Sequence, residues 1–391
     1  MQKKIILGFQ HMFAAFSATV LVGILCGIPI QNVLLAAGLG TLLFHAITGG
    51  NIPMFLGSSF AYISTMQLIA ASSGYGAIYG ATICIGLIYV AAALLIKYIG
   101  IDRFLNIFPV EVRAPIVILI GLTLAPTATQ SITTNMPLAL ITFALLIGLT
   151  AYAKGLLKIS AILVALVIST IIGIPFGWTS FEALKGSALI GLPKWIAPTF
   201  NANAIVLMCI VAFSTICEHI SDVATLSSIC GENYMAQLPR TLCGDGLATS
   251  LAGLLNAPSN TSYGENCGVI ALTGIKDPSV VRIAAVIMIV LGFSPWFSQL
   301  VLSIPTAAIG AVSFLMYGMI SASGLKNLVE NKVNFSDTRT LVIIAMILVS
   351  GLGFSTYPLI FNLGTHVISV SGIAIATLVG ILLNIIWKKK A

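Results

Sequence analysis

Four carboxylates in this chain sit where carboxylates are costly. Of eleven acidic residues, Asp102, Glu111, Glu182, Glu232, Asp277, Glu330 and Asp337 fall in or beside polar connections and read as solvated charge. Glu218, Asp222, Asp245 and Glu265 fall inside apolar runs. A carboxylate at the centre of a bilayer costs at least about 2.5–3.5 kcal/mol on insertion scales, so it is retained for a use. Glu218 and Asp222 are four residues apart and share one helix face. Two stacked carboxylates repel when both are ionised, an arrangement suited to holding a proton. Glu265 follows the stretch Pro258-Ser-Asn-Thr-Ser-Tyr-Gly264, which places it at the start of a half-helix, beside free backbone N–H groups. A capping carboxylate is the structural alternative there. Asp245 sits in a Cys-Gly-Asp-Gly turn opening an apolar run and reads equally as a cap or a proton relay.

Carboxylates accept hydrogen bonds and backbone amides donate them. A planar imide or lactam, with alternating N–H and C=O edges, satisfies both. Phe60, Tyr62, Tyr263 and Tyr317 supply an aromatic wall for such a ring, or pack against lipid and neighbouring helices.

The elements that must hold these groups are transmembrane helices. The chain has 391 residues, 58% hydrophobic and 7% charged, with a mean hydropathy of +1.08. Soluble domains carry about 25% charged residues. A soluble enzyme, a nucleic-acid binder and a disordered chain are thereby excluded. The net charge of +7 is scattered through short loops and does not form a nucleic-acid patch. Apolar runs fall at roughly 6–28, 32–50, 58–72, 75–98, 110–127, 136–153, 158–175, 203–228, 240–256, 263–276, 280–300, 305–322, 338–354 and 368–387. That is an all-α polytopic membrane protein of fourteen segments. The third and tenth runs are short, and each follows a stretch rich in Gly, Pro, Ser and Asn. The seven cysteines form no C-x-x-C pair and read as packing residues, with no metal or disulfide implied. No cofactor is expected. Met-Gln-Lys-Lys before the first run reads as the start of a first span rather than a cleaved signal.

With a cytoplasmic N-terminus and fourteen spans, 16 of the 18 Lys and Arg residues lie inside, including Lys388, Lys389 and Lys390. Lys185 and Lys194 lie outside. The split follows the positive-inside rule and puts both termini in the cytoplasm. The longest outer connection, about 175–203, carries Trp178 and Trp195, which suit an interfacial belt.

The chain also repeats itself. Gln10-His11 is followed, 27 residues after the His, by Gly38-Leu-Gly-Thr41; Glu218-His219 is followed at the same distance by Gly246-Leu-Ala-Thr249. Gly57-Ser-Ser59 lies 47 residues after Gln10, and Gly264-Glu-Asn266 lies 46 after Glu218. The offset, 218 − 10 = 208, spans about seven segments. Seven is odd, so the copies enter the membrane in opposite senses, as in secondary transporters. The site is then expected where Asn51–Phe60 and Asn256–Glu265 meet near the midplane.

These residues resemble the nucleobase–ascorbate transporter family, and most closely its bacterial uracil-transporting branch. The resemblance runs over nearly the whole chain. It is carried by Gln10-His-Met-Phe-Ala-Ala-Phe-Ser-Ala-Thr-Val20, Gly57-Ser-Ser-Phe-Ala-Tyr62, Cys217-Glu-His-Ile-Ser-Asp222 and Gly244-Asp-Gly-Leu-Ala-Thr249. Pro258-Ser-Asn-Thr-Ser-Tyr-Gly-Glu-Asn-Cys-Gly268 and Tyr317-Gly-Met-Ile-Ser-Ala-Ser-Gly-Leu325 complete it. The family signature reads here as Glu265-Asn-Cys-Gly268 followed by Thr273-Gly274.

The resemblance implies two inverted repeats of seven segments. A core domain would comprise 1–100 (segments 1–4) and 203–303 (segments 8–11). A gate domain would comprise 101–202 (segments 5–7) and 304–391 (segments 12–14). Segments 3 and 10 would each give a short antiparallel strand before a half-helix. The function implied is proton-coupled symport of uracil across the cytoplasmic membrane of a prokaryote, with uracil and a proton as partners and no enzymatic activity. By position, Glu218 and Glu265 match the substrate-binding carboxylates, Phe60 and Gly264 the backbone donors, and Tyr263 and Tyr317 the flanking aromatics, with Ser59 beside them. Asp222 matches the proton-coupling position, with Glu218 and Asp245 in support. Family members also dimerise through the gate domain.

Two departures bear on the reading. Some relatives carry His where this chain has Asp222. Gly274 stands where uracil members often carry Arg and purine members Gly, whereas Glu265 favours uracil over purines. A xanthine- or urate-type symporter on the same fold is the first alternative, and an anion transporter or channel of related architecture the second.

Overall fold

A computed structural model describes residues 2–107, 109–363, 366–370 and 372–387. Lys388, Lys389 and Lys390, counted above as cytoplasmic, lie outside these residues. The helices of the first half are α1 (Gln2–Cys26), α2 (Ile30–Ile47), then strand β1 (Leu56–Ser58), followed by α3 (Ile63–Ser73), α4 (Tyr75–Ile99), α5 (Ile101–Ile107), α6 (Val110–Thr133), α7 (Met136–Tyr152), α8 (Leu156–Ile159) and α9 (Ala161–Gly173). The second half holds α10 (Ala202–Cys230), α11 (Leu238–Leu254), strand β2 (Asn260–Ser262), α12 (Gly264–Thr273), α13 (Pro278–Gly292), α14 (Pro295–Leu302), α15 (Thr306–Glu330) and α16 (Thr338–Thr356). Strands β3 (Leu359–Leu363) and β4 (His366–Val370) precede α17 (Gly372–Ile386).

Among the described residues, seven helices are long and apolar enough to cross a membrane. The α13–α14 pair, bent by 92°, makes an eighth, broken span, and α7, α9 and α17 are shorter apolar helices. Large apolar side chains stay exposed along these helices, among them Leu94, Ile147, Val349 and Leu382. An apolar surface of that extent needs lipid around it. The chain is a multi-pass membrane protein.

Two groups of helices form the body. In the first, α2 packs on α13 and α11, α4 on α11 and α10, and α1 on α13. Glycines permit this closeness. A Cβ on Gly38 of α2 would stand 3.1 Å from the Ile289 amide of α13, and one on Gly246 of α11 would stand 3.1 Å from the Val90 amide of α4. In the second group, α6 packs on α15 and α16, α16 on α17, and α7 on α15 and α9. A polar knot ties one end of this group. Arg339 donates to Glu111 Oε1 at 3.2 Å, and also to Asn384 and to the Trp387 carbonyl.

The two interrupted segments cross inside the first group. β1 and β2 are antiparallel, with Leu56 opposite Ser262, Gly57 opposite Thr261 and Ser58 opposite Asn260. The ladder is extended by Ser59 N–H to Ser259 O (2.8 Å) and Tyr263 N–H to Phe55 O (3.0 Å). Buried backbone away from water must be paired, and the crossing pairs it. Thr41 of α2 accepts from the Leu56 amide at 3.0 Å, and Thr249 of α11 donates to Asn260 O at 3.1 Å. Both threonines close the repeated Gly-Leu-x-Thr motif.

Several sequence expectations shift. The run 280–300 is not one helix, because Pro295 has no N–H to continue α13 and Ser294 caps a new helix, accepting from the Phe297 amide at 3.2 Å. The run 158–175 divides into α8 and α9. The run 368–387 starts as strand β4, which pairs antiparallel with β3. Asp245 does not lie in a turn, since α11 begins at Leu238 and carries Asp245 inside the helix.

The connection before α10 forms a strap over one end of the first group. Gly191 N–H donates to Phe293 O at 2.8 Å, and the Trp296 N–H donates to Ala188 O at 3.0 Å. Thr199 N–H donates to Gly76 O at 2.9 Å. Trp195 Nε1 donates to Leu254 O at 2.9 Å, and Asn32 Nδ2 to Lys194 O at 2.9 Å. A boundary at 202 assigns this strap to 101–202, yet these bonds all run to elements of 1–100 and 203–303.

Candidate substrate site

The crossing strands leave a helix start on each side. Phe60 opens a 3₁₀ turn that leads into α3, and Gly264 opens α12. The first N–H groups of a helix have no acceptor within it, so both starts present donors. A cavity of about 420 Å³ lies against them. Its wall includes Phe60, Tyr263, Gly264 and Glu265 from the crossing, and Glu218 and Asp222 from α10. Phe13 and Ser17 of α1 close another side, and Val117 of α6 with Met316 of α15 face them from the second helix group.

Glu218 and Glu265 each keep part of their surface open to this space. Glu218 Oε2 has no hydrogen-bond partner among the described residues. A buried carboxyl oxygen is rarely left so. Asp222 is partnered: Ser262 Oγ, on β2, donates to its Oδ2 at 2.6 Å. Tyr263 is locked by two bonds, its Oη donating to Ser58 O at 2.9 Å and accepting from Thr19 Oγ1 at 3.2 Å. Asn266 Nδ2 donates to the His11 carbonyl at 3.1 Å and fastens α12 to α1.

Three further residues expected at the site stand back from the cavity. Tyr317 is buried behind Phe60, ring centroids 6.0 Å apart and edge-on. Ser59 is fully buried, its backbone committed to the strand ladder. Asp245 lies deeper in the first helix group. Its Oδ2 is 2.8 Å from His219 Nδ1, with both side chains fully buried, and His219 Nε2 is 3.0 Å from Thr241 Oγ1. Tyr62 likewise faces inward, 2.9 Å from Thr215 Oγ1. Sequence reasoning missed Phe13, Ser17 and Asn327 as lining residues. Phe13 and Ser17 are four apart on the helix that carries Gln10-His11, so the helical period of that motif was the available signal.

Among the described residues, no group of three or more His, Cys, Asp or Glu side chains is arranged to hold a metal ion. The site offers three carboxylates, two helix starts, an aromatic face and one exposed cation, Lys158, in its wall. It can bind a flat, neutral ligand that both donates and accepts hydrogen bonds.

A model of the Permease family matches residues 2–360. The uracil permease of Bacillus subtilis (strain 168) is 35% identical over 398 residues, covering 96% of this chain and 91% of that protein. The uracil permease of Bacillus caldolyticus is 36% identical over 400 residues, covering 98% and 91%. The chain belongs to the nucleobase–ascorbate transporter family. As a family member it is a membrane transporter and not an enzyme. The transmembrane domain of the cyanobacterial bicarbonate transporter BicA shares its fold, with a TM-score of 0.68 at 17% identity over 98% of this chain and 97% of that domain.

Proposed function

We propose that this family member imports uracil by proton-coupled symport across the cytoplasmic membrane. The observation that carries the reading is the pairing of Glu218 and Glu265 around one cavity whose floor is two helix starts. Uracil presents two N–H donors and two carbonyl acceptors on one plane, which matches two carboxylates and two backbone N–H groups. Its relatives named uracil permeases, at 35–36% identity along the chain, support the same ligand. Phe60 and Tyr263 would bracket the ring, with Tyr317 and Ser59 holding them from behind. Asp222 would carry the proton, and the Asp245–His219 pair would support the helix that bears it.

Fourteen segments follow if the half-helices and the short apolar helices are counted as spans. They are α1, α2, β1 with α3, α4, α6, α7, α8 with α9, α10, α11, β2 with α12, α13 with α14, α15, α16 and α17. The glycine contacts support an inverted repeat. Gly38 and Gly246 are 208 residues apart, and each lies against the fourth segment of the other copy. The first helix group is read as the core domain and the second as the gate. We read the exposed Lys158 of the cavity wall as marking its open side. The positive-inside assignment makes that side the cytoplasm, so the arrangement is inward-facing.

Gly274, the residue that favoured a purine ligand, closes α12 with φ 67, a conformation suited to glycine. The helix end thus favours glycine on its own account, which weakens Gly274 as a mark of a purine ligand. An anion ligand is disfavoured by three carboxylates against one lysine in the wall.

The test is uptake of labelled uracil by proteoliposomes, with and without an inward proton gradient, in competition with xanthine, thymine and 5-fluorouracil. Accumulation driven by the gradient and blocked by 5-fluorouracil but not xanthine is expected. Competition by xanthine equal to that by unlabelled uracil would replace the pyrimidine reading with the purine one.

A further inference from the structure

The wall of the cavity holds a polar contact that the proposed binding of a base does not use. α15 turns Met316, Ile320, Ser323 and Asn327 toward the cavity, at the four-three-four spacing of one helix face. α10 turns Glu218, Ser221 and Asp222 toward the same space. Where the two helices meet, Asn327 Nδ2 donates to Ser221 Oγ at 3.2 Å. Among the described residues this is the one side-chain hydrogen bond between α10 and α15. The main packing partners of α15 are α6, α7 and α9, all in the second helix group.

The direction of the bond is fixed by its neighbours. Asn331 Nδ2 donates to Asn327 Oδ1 at 2.7 Å and to Asn327 O at 2.8 Å. Turning the Asn327 amide over would set two NH₂ groups against each other, so Nδ2 is the group that faces Ser221. Ser221 Oγ donates to Cys217 O at 3.0 Å and accepts with a free lone pair. The chain Asn331 → Asn327 → Ser221 → Cys217 O thus runs one way, each donor polarising the next. Asp222, the next residue after Ser221, is held from its other side by Ser262 of β2. The turn that bears Asp222 is gripped from both helix groups at once.

We infer that Asn327 is a positioning residue for transport. Its bond to Ser221 holds the Glu218–Asp222 turn against α15 while the cavity is open at Lys158, and it breaks when the two helix groups move past each other. The inference rests on the reading of the two helix groups as a core and a gate that move against each other in transport, and not on the identity of the ligand. The net worth of one neutral hydrogen bond corresponds to a shift of about 2- to 12-fold in such an equilibrium.

The experiment uses the reconstituted full chain carrying Ser323→Cys, a reporter one turn from Asn327 on the cavity face. It is labelled with a membrane-impermeant maleimide from the side of Lys158. The chain without this substitution gives the background from the seven native cysteines. Asn327→Ala is expected to slow labelling by a factor of up to about 2 to 12, the limit reached when the open state is the minor one. Ser221→Ala is expected to do the same, and the double variant no more than either alone. Unchanged labelling in both single variants, or slowing in the double variant equal to the product of the two, overturns the assignment. Binding of labelled uracil to the same preparations separates the two readings. A chain that fails to bind uracil but keeps this labelling pattern loses the proposed ligand and keeps Asn327 in its role.

Discussion

Glu265 opens a half-helix and Glu218 faces it from α10 with one oxygen unpartnered. If both accept from a ligand N–H, their replacement by amides removes the charge and one of the two acceptor oxygens. Glu265→Gln is expected to weaken uracil binding by about 10- to 100-fold, the scale of a hydrogen bond to a charged group. Equilibrium binding of labelled uracil to the purified variant measures this, and wild-type affinity would remove Glu265 from the site. These two acids were readable in the sequence because a carboxylate in an apolar run has no cheap explanation. Ser221 and Asn327 were not readable, because a neutral polar side chain in a helix is satisfied in many ways. Asp245 misled for a different reason. Its Gly neighbours suggested a turn, whereas in α11 they let the helix approach Phe44 and α4 closely.

The elements hold the site by close packing rather than by charge. A Cβ on Gly86 of α4 would meet the Ser250 side chain of α11 and, beside it, the Gly246 carbonyl and the Ser250 amide, which are backbone and do not yield. Gly86→Val is expected to destabilise the first helix group by about 1–3 kcal/mol or more, as overpacking does. A lower thermal unfolding midpoint in detergent would show it, and an unchanged midpoint would mean that α4 and α11 are not in such contact. At the edge of the membrane, charge matters more. The Lys4 ammonium, 2.7 Å from Asp277, and the Ser279 side chain and amide push the Asp277 carboxyl down to about 2. Asp277 also caps α13, accepting from the Ser279 amide at 2.9 Å. Because the carboxyl is lowered on folding, this contribution is full above about pH 4 and fades as pH falls toward 2. Thermal scans of wild type and Asp277→Asn should therefore differ most above pH 4 and converge near pH 2. A constant difference across that range would contradict the pairing. Both partners are partly exposed, so the difference is small and shrinks in high salt.

At the scale of the whole molecule, the proposed symport requires that proton and substrate move together. Asp222 is gripped by Ser262 from the strand crossing and, through Ser221, by α15. Asp222→Asn keeps the hydrogen bond from Ser262 but cannot take up and release a proton. It is expected to bind and exchange uracil while failing to accumulate it against a gradient in proteoliposomes with an imposed inward pH gradient. Accumulation equal to wild type would move the coupling role to another group.

The sequence by itself determined the solvent. With 7% of residues charged, the chain has too few charges to cover a water-facing surface. It also determined the pairing of landmarks 208 residues apart, because a repeated motif survives as residue spacing. Only the tertiary structure decided which of four buried acids share a cavity. Glu218, Asp222 and Glu265 line it, while Asp245 turns away to His219. It also decided the break before Pro295 and the strap lying over the first helix group. Spacing along a chain fixes the face of one helix, but which faces meet depends on how closely glycine-lined helices approach. That closeness is a property of pairs of elements far apart in sequence.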